Sequence, residues 1–277
     1  MKIKSKILRD FIKEIQYQNR NPKDTKALEL LDDISTNPEI VLDKDSSLYR
    51  CRIVTDKNKI GKEKDFYGYG AKESFVPPAN LTRDLRANYK YIPYLYCSNH
   101  PYISLVEVRP RLGSLVSVAT IINNEPIRLL DFTIRNKPSK MTEPKQNFFS
   151  DLSTLYSTPI TNDDNVLDYI PTQFIAEYVK NRGYDGIAFS SSLTPAINER
   201  YPDRFNIVVF NYQKCTVVKS NIVDIKGIDV ESVQVDDGDR LDIRSFVEES
   251  LDGIIRYQER IIDEQEKLIN ENNEISS

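Results

Sequence analysis

Residues 171–189 constrain the fold most. Over 171–181, Phe174, Ile175 and Tyr178 recur at helical spacing, and Gly183 stands where a helix ends in a left-handed residue. The run Tyr184-Asp185-Gly186-Ile187-Ala188-Phe189 then reads as a buried strand. The spacing predicts a helix that begins at Pro171, because a proline in the first turn withholds an N–H that has no partner there anyway. A buried strand needs sheet neighbours. Segments 48–54, 92–96, 114–122, 127–132, 205–210 and 215–218 supply them, being short and rich in Val, Ile and Leu. Further helices are expected at 8–15, where Leu8, Phe11, Ile12 and Ile15 share a face, at 25–34 and at 147–156. A brief helix should run to Glu107 with Pro101 in its first turn and Ser98 or Asn99 as its cap. The fold class is therefore α+β, a mixed sheet with flanking helices rather than a regular βαβ array.

A long helical pattern covers 245–271, with Ile254, Ile261 and Leu268 recurring every seven residues. Gln258 and Gln265 fall where a second core row would lie, so docking on the chain's own body and a homo-oligomeric seam both stay open. The intervening stretch 57–90 is polar, aromatic-rich and too long for an ordinary connection, which marks it as functional.

Several function classes are excluded by counting. Hydrophobic residues at 39% suffice for a core, while 38 Lys+Arg against 42 Asp+Glu give a net charge of −4, a poor match to a nucleic-acid binder. One histidine, His100, leaves no His-rich metal centre, and three scattered cysteines form no paired framework. With nine glycines and neither GxGxxG nor GxxxxGK[ST], the common phosphate cradles are missing. The basic start lacks an apolar secretory core, and no apolar run approaches membrane-spanning length, so a cytoplasmic protein is expected.

Three groups can carry chemistry. Arg50, with Arg86 and Asn88 further on, offers guanidinium forks suited to carboxylate or phosphate oxygens, although a lone Arg beside a strand is usually a surface charge. Glu107, between Val106 and Val108, is a carboxylate expected to be partly buried; the ordinary reading is a salt bridge to Arg109 or Arg111. Ser190-Ser191-Ser192 follows a buried strand, where hydroxyls gather for turns as readily as for function. Singly, each ordinary reading wins. His100 is read as a surface residue near a helix cap, and Asp236-Asp237-Gly238-Asp239 as a turn.

In order, however, Leu48-Tyr49-Arg50, Arg86-Ala87-Asn88, Leu95-Tyr96, Glu107-Val108, Leu130-Asp131-Phe132, Tyr169-Ile170-Pro171-Thr172-Gln173, Tyr184-Asp185-Gly186-Ile187 with the serines, and Asn206-Ile207-Val208-Val209-Phe210 resemble the RES-domain family over 45–212. Leu85 stands where the family often has Gly, and Ile103-Ser104 replaces its usual Thr-Ala. The resemblance implies an ADP-ribosyltransferase-like fold and an NAD+-degrading activity, frequently that of a toxin paired with an antitoxin. It implies Glu107, Arg50 and Ser191 as catalytic residues, with Arg86, Asn88, Tyr96, Tyr49 and Ser190 binding substrate. NAD+ is then a substrate, with no cofactor or metal, and an antitoxin or regulatory protein the expected partner. Segments 1–44 and 213–277 flank this domain. Transfer of ADP-ribose to a macromolecule, or an inactive module assembling through its C-terminal helix, are the alternatives.

Overall fold

The computed structural model describes residues 3–33, 37–61, 63–133, 141–158, 166–191, 193 and 203–227. The expected helix at 245–271, the acidic turn near 236–242 and Ser192 lie outside the described residues. Six helices form among those described: α1 (Lys6–Tyr17), α2 (Lys26–Asp32), α3 (Ala71–Ser74), α4 (Pro101–Glu107), α5 (Glu143–Ser157) and α6 (Val166–Asn181). The strands are β1 (Glu39–Leu42), β2 (Ser47–Ile53), β3 (Leu95–Ser98), β4 (Leu115–Asn123), β5 (Ile127–Asp131), β6 (Gly186–Phe189), β7 (Asn206–Val209) and β8 (Cys215–Asp224).

The strands make one sheet in the order β1-β5-β6-β7-β3-β2-β4-β8. Every pair is antiparallel except β5 with β6. A parallel pair needs a long crossover, and α5 and α6 lie between β5 and β6 in the chain to provide it. Side chains alternate across the sheet. Leu130, Ile187 and Val208 join one core with Leu8, Phe11, Leu28, Phe148 and Ile175 of the helices, while Leu129, Ala188 and Ile207 join a second with Leu48, Leu95 and Val217. Gly186 has to be glycine, since a Cβ there would stand 2.3 Å from the Val208 carbonyl oxygen on β7.

Local rules explain most boundaries. Ser5 and Thr25 cap α1 and α2 by accepting from the N–H groups of Leu8 and Leu28. Gly183 follows α6 at φ +84°, as its position in the sequence predicts. The differences also have reasons. α6 starts at Val166, with Pro171 inside it. Pro171 cannot donate to the carbonyl of Leu167 one turn back, and Gln16 Nε2 of α1 donates to that oxygen instead at 2.9 Å. The cap of α4 is His100, whose Nδ1 accepts from the N–H of Tyr102 at 3.2 Å, in place of Ser98 or Asn99. β3 lies nearer the helix than 92–96, and β8 continues to Asp224 along β4. Edge strand β1 has no counterpart among the expected segments; its four residues pair with β5, and Glu39 takes a bidentate grip from Arg128 at 2.6 and 3.0 Å.

The stretch 57–90 is tied down rather than loose. Its backbone at Tyr67 and Gly68 donates to the Ser220 carbonyl, and Tyr69 N donates to Ser117 Oγ at 2.8 Å. No helix among the described residues is long and apolar enough to cross a membrane.

Candidate active site

A fork in the sheet positions the site. β2 pairs with β4 along its whole length, yet among the described residues it meets β3 at one pair, Tyr49 with Ser98. Beyond that pair the strands part, and the N–H of Cys51 donates to Ser104 Oγ of α4 at 2.9 Å instead of to a neighbouring strand. The opening is a cleft of about 290 Å³ lined by Arg50 and Cys51, Tyr96 and Cys97, Ser104 and Glu107, Phe189 and Asn206. A second lobe of about 290 Å³ carries Arg86, Arg109, Tyr156 and Leu193. The lobes share Leu85, Tyr96, Glu107, Phe189 and Asn206.

Glu107 is the carboxylate of both lobes. As the last residue of α4 it is exposed overall, not partly buried, because the helix ends where the cleft opens. Its Oε1 accepts from Ser191 Oγ at 2.6 Å and from Asn206 Nδ2 at 2.7 Å. These partners, not Arg109 or Arg111, hold it. Two donors on one oxygen fix the carboxylate, and among the described residues Oε2 accepts none. Ser191 is buried just past β6 and itself accepts from the N–H of Leu193 at 3.2 Å. Ser190, one residue earlier, is half-buried.

Arg50 projects from β2 with Nη1 donating to the Ser74 carbonyl of α3 at 3.1 Å. Burial, with the neighbouring charge of Arg52, brings its guanidinium down to about 10, so it is a cation at neutral pH. Arg86 lines the second lobe, donates to the Leu155 carbonyl at 2.9 Å and lies over the Tyr169 ring. Tyr96 presents its ring to both lobes, while its hydroxyl donates to Asn88 Oδ1 at 2.8 Å and accepts from Ala87 N at 3.1 Å. Burial holds that hydroxyl well above the usual tyrosine range, hence neutral.

Two expected binding residues stand apart from the cleft. Asn88 is buried, its amide donating to the carbonyls of Arg83 and Tyr89, so it braces Tyr96 from behind. Tyr49, adjacent to Arg50, points to the other side of its strand and lines a separate depression with Pro101, Tyr102 and Lys219. His100 is committed as the cap at the far end of α4, about 10 Å from Glu107 along the axis. Burial, assisted by Arg204, pushes its imidazole below the usual range against the opposing pull of Asp203. Among the described residues no group of three His, Cys, Asp or Glu gathers as a metal site.

Sequence reasoning does not pick out Asn206 as a site residue, although a signal exists. It is the polar residue opening an otherwise apolar strand, and a buried amide requires partners. Arg109, Phe189 and Leu85 are further lining residues outside the catalytic and binding set expected from the sequence. Chemically, the cleft offers one anchored carboxylate, Arg50 in one lobe, Arg86 and Arg109 in the other, and aromatic rings between them. That set suits an anionic, ring-bearing substrate that develops positive charge near Glu107.

The model of the RES domain family matches residues 49–236. No curated protein matches the chain. Among solved structures, a chain in the crystal structure of the M. tuberculosis MbcT-MbcA toxin-antitoxin complex is similar at 14% identity. The match covers 73% of this chain and 93% of that one, with a TM-score of 0.40.

Proposed function

Because the chain belongs to the RES-domain family, we propose that it is an NAD+-consuming enzyme that cleaves the nicotinamide–ribose bond. In this reading it depletes cellular NAD+ as a toxin or defence effector under the control of an antitoxin or regulatory protein, and its sheet is of the ADP-ribosyltransferase kind. The observation that carries the reading is the Glu107 carboxylate, held through Oε1 by Ser191 and Asn206 while Oε2 accepts from no described residue.

The chemistry fits these groups. When the C–N bond breaks, its electron pair returns to the pyridinium nitrogen, so nicotinamide leaves neutral and needs no general acid. Positive charge develops instead on the ribose, as an oxocarbenium ion. One fixed carboxylate beside it is the required catalyst, and the paired carboxylates of ordinary glycosidases are unnecessary. Water then forms the new C–O bond and releases its proton to solvent, or phosphate takes its place. Arg50 and Arg86 supply cations for the pyrophosphate in the absence of a glycine-rich cradle. Tyr96 supplies a face for a ring.

The test is purified protein with NAD+, with and without phosphate, followed by nicotinamide release and product analysis. Wild type should turn over, and Glu107→Gln should lose about 10²–10³ in kcat with its melting temperature unchanged. Free ADP-ribose, its phosphate ester or a labelled macromolecule names the acceptor. A Glu107→Gln variant as active as wild type sinks the assignment.

A further inference from the structure

The run Tyr169-Ile170-Pro171-Thr172-Gln173 belongs to the ordered sequence pattern, yet none of its side chains lines either lobe of the cleft. Three of its groups instead meet residues that do, or the chain that carries them. The Arg86 guanidinium lies over the Tyr169 ring, 5.6 Å from its centroid. The Thr172 carbonyl accepts from the Tyr156 hydroxyl at 2.6 Å. Gln173, one turn after Tyr169 on the same face of α6 and 2% exposed, reaches across to residues 84–88. Its Nε2 donates to the Leu85 carbonyl and to the Asn88 carbonyl, each at 2.9 Å, with Asp84 Oδ1 at 3.3 Å. A primary amide carries two hydrogens, and the two carbonyls take both.

Those carbonyls bracket Arg86 in the chain. Between residues 81 and 95 there is no helix or strand, so the path of the backbone is set by such grips. Leu85 N closes the turn onto the same Asn88 carbonyl at 3.1 Å, and Ala87 N donates to the Tyr96 hydroxyl of β3 at 3.1 Å. Leu85 lines both lobes and Arg86 the second, so a shift of this turn would move a wall and a cation of the cleft together. Filling the space alone would call for an apolar side chain, since a buried amide is costly unless its donors are used. Here the donors are used on the turn that carries Arg86.

We propose that Gln173 is a positioning residue that sets the 85–88 turn so that Arg86 meets phosphate oxygens of the substrate. The inference deepens the NAD+ reading above and rests on it for the identity of the full substrate. Placement matters because a misplacement of about 1 Å can cost roughly 10²-fold.

The test compares full-length wild type with Gln173→Met, which keeps the length and loses the donors, and Gln173→Asn, which keeps the amide but withdraws it by about 1.5 Å. The readouts are KM and kcat for NAD+, ADP affinity by calorimetry, and melting temperature. Both variants should raise KM and the Kd for ADP about tenfold, the size of one charge-assisted contact, with kcat within threefold of wild type. In an Arg86→Met background, Gln173→Met should raise them far less, because the group it positions is gone. A lowered melting temperature with wild-type KM and Kd overturns the proposal, since Gln173 would then hold structure alone. An equal rise with and without Arg86 overturns it too. Gln173→Asn carries the same readouts if Gln173→Met does not fold. ADP separates the proposal from the reading it rests on. If wild type binds ADP, Gln173→Met weakens that binding and NAD+ stays intact, the NAD+ reading fails and the positioning role stands. If NAD+ is cleaved with wild-type KM in both variants, the positioning role fails and the NAD+ reading stands. If wild type binds no ADP, the phosphate grip fails and the positioning role with it.

Discussion

At the scale of single residues, the carboxylate is only as good as what holds it. Asn206 and Ser191 donate to the same oxygen of Glu107, so removing either frees the group to rotate away from a developing charge. Asn206→Ala deletes a hydrogen bond to a charged acceptor, typically about 1.5–3 kcal/mol, which predicts a fall in kcat of roughly 10–100-fold with KM little changed. Asn206→Asp should be worse, because it sets a second negative charge beside Glu107. Wild-type kcat in Asn206→Ala would falsify this positioning role. Much of the site is legible in the sequence because its words run in order along the chain: Arg50, Tyr96, Glu107 and Ser191 all come to one cleft. What words cannot convey is direction. Tyr49 and Arg50 are neighbours in the sequence and opposite in the sheet, and Asn88 has the right chemistry but exhausts it on the backbone around it and on Tyr96.

At the scale of elements, periodicity and caps locate the helices and most strands, since those signals are local. Local rules mislead where a partner distant in sequence supplies what they count as missing. Pro171 marks a helix start only if nothing compensates for its absent N–H further in, and Gln16 compensates from 151 residues away along the chain, through the Leu167 carbonyl. A double-mutant cycle measures this. Gln16→Ala alone should destabilise by about 1 kcal/mol, read as a shifted denaturant midpoint. In a Pro171→Ala background, where residue 171 regains its N–H, the same change should cost clearly less. Equal costs in both backgrounds would remove the compensation argument. β1 is illegible for a related reason. Four residues are too few to show a period, and its identity as a strand comes from its pairing partners Ile127 to Leu130 on β5 rather than from itself.

At the scale of the whole molecule, the free cysteines match a chain built without cross-links. Cys51, Cys97 and Cys215 are all buried. Burial pushes the thiols of Cys51 and Cys215 up to about 11 and that of Cys97 well above its ordinary value. A raised thiol stays protonated as pH climbs toward that value, and the thiolate is the nucleophile, so the native protein should resist alkylation at pH 8. Iodoacetamide followed by mass analysis should modify these three only as fast as the fold opens; rapid labelling of Cys51 or Cys97 in the native state would refute the closed cleft floor. The forked sheet has a further consequence. Its five-strand side (β1, β5, β6, β7, β3) and three-strand side (β2, β4, β8) are interleaved, since the chain changes side at every connection except β5 to β6 and β6 to β7. Arg50 is therefore made early and Asn206 late, and neither side of the cleft is encoded by a continuous segment. During translation, a ribosome that has not passed codon 206 carries a chain without the Asn206 anchor for Glu107. The order of synthesis itself thus delays assembly of the complete cleft until most of the chain exists.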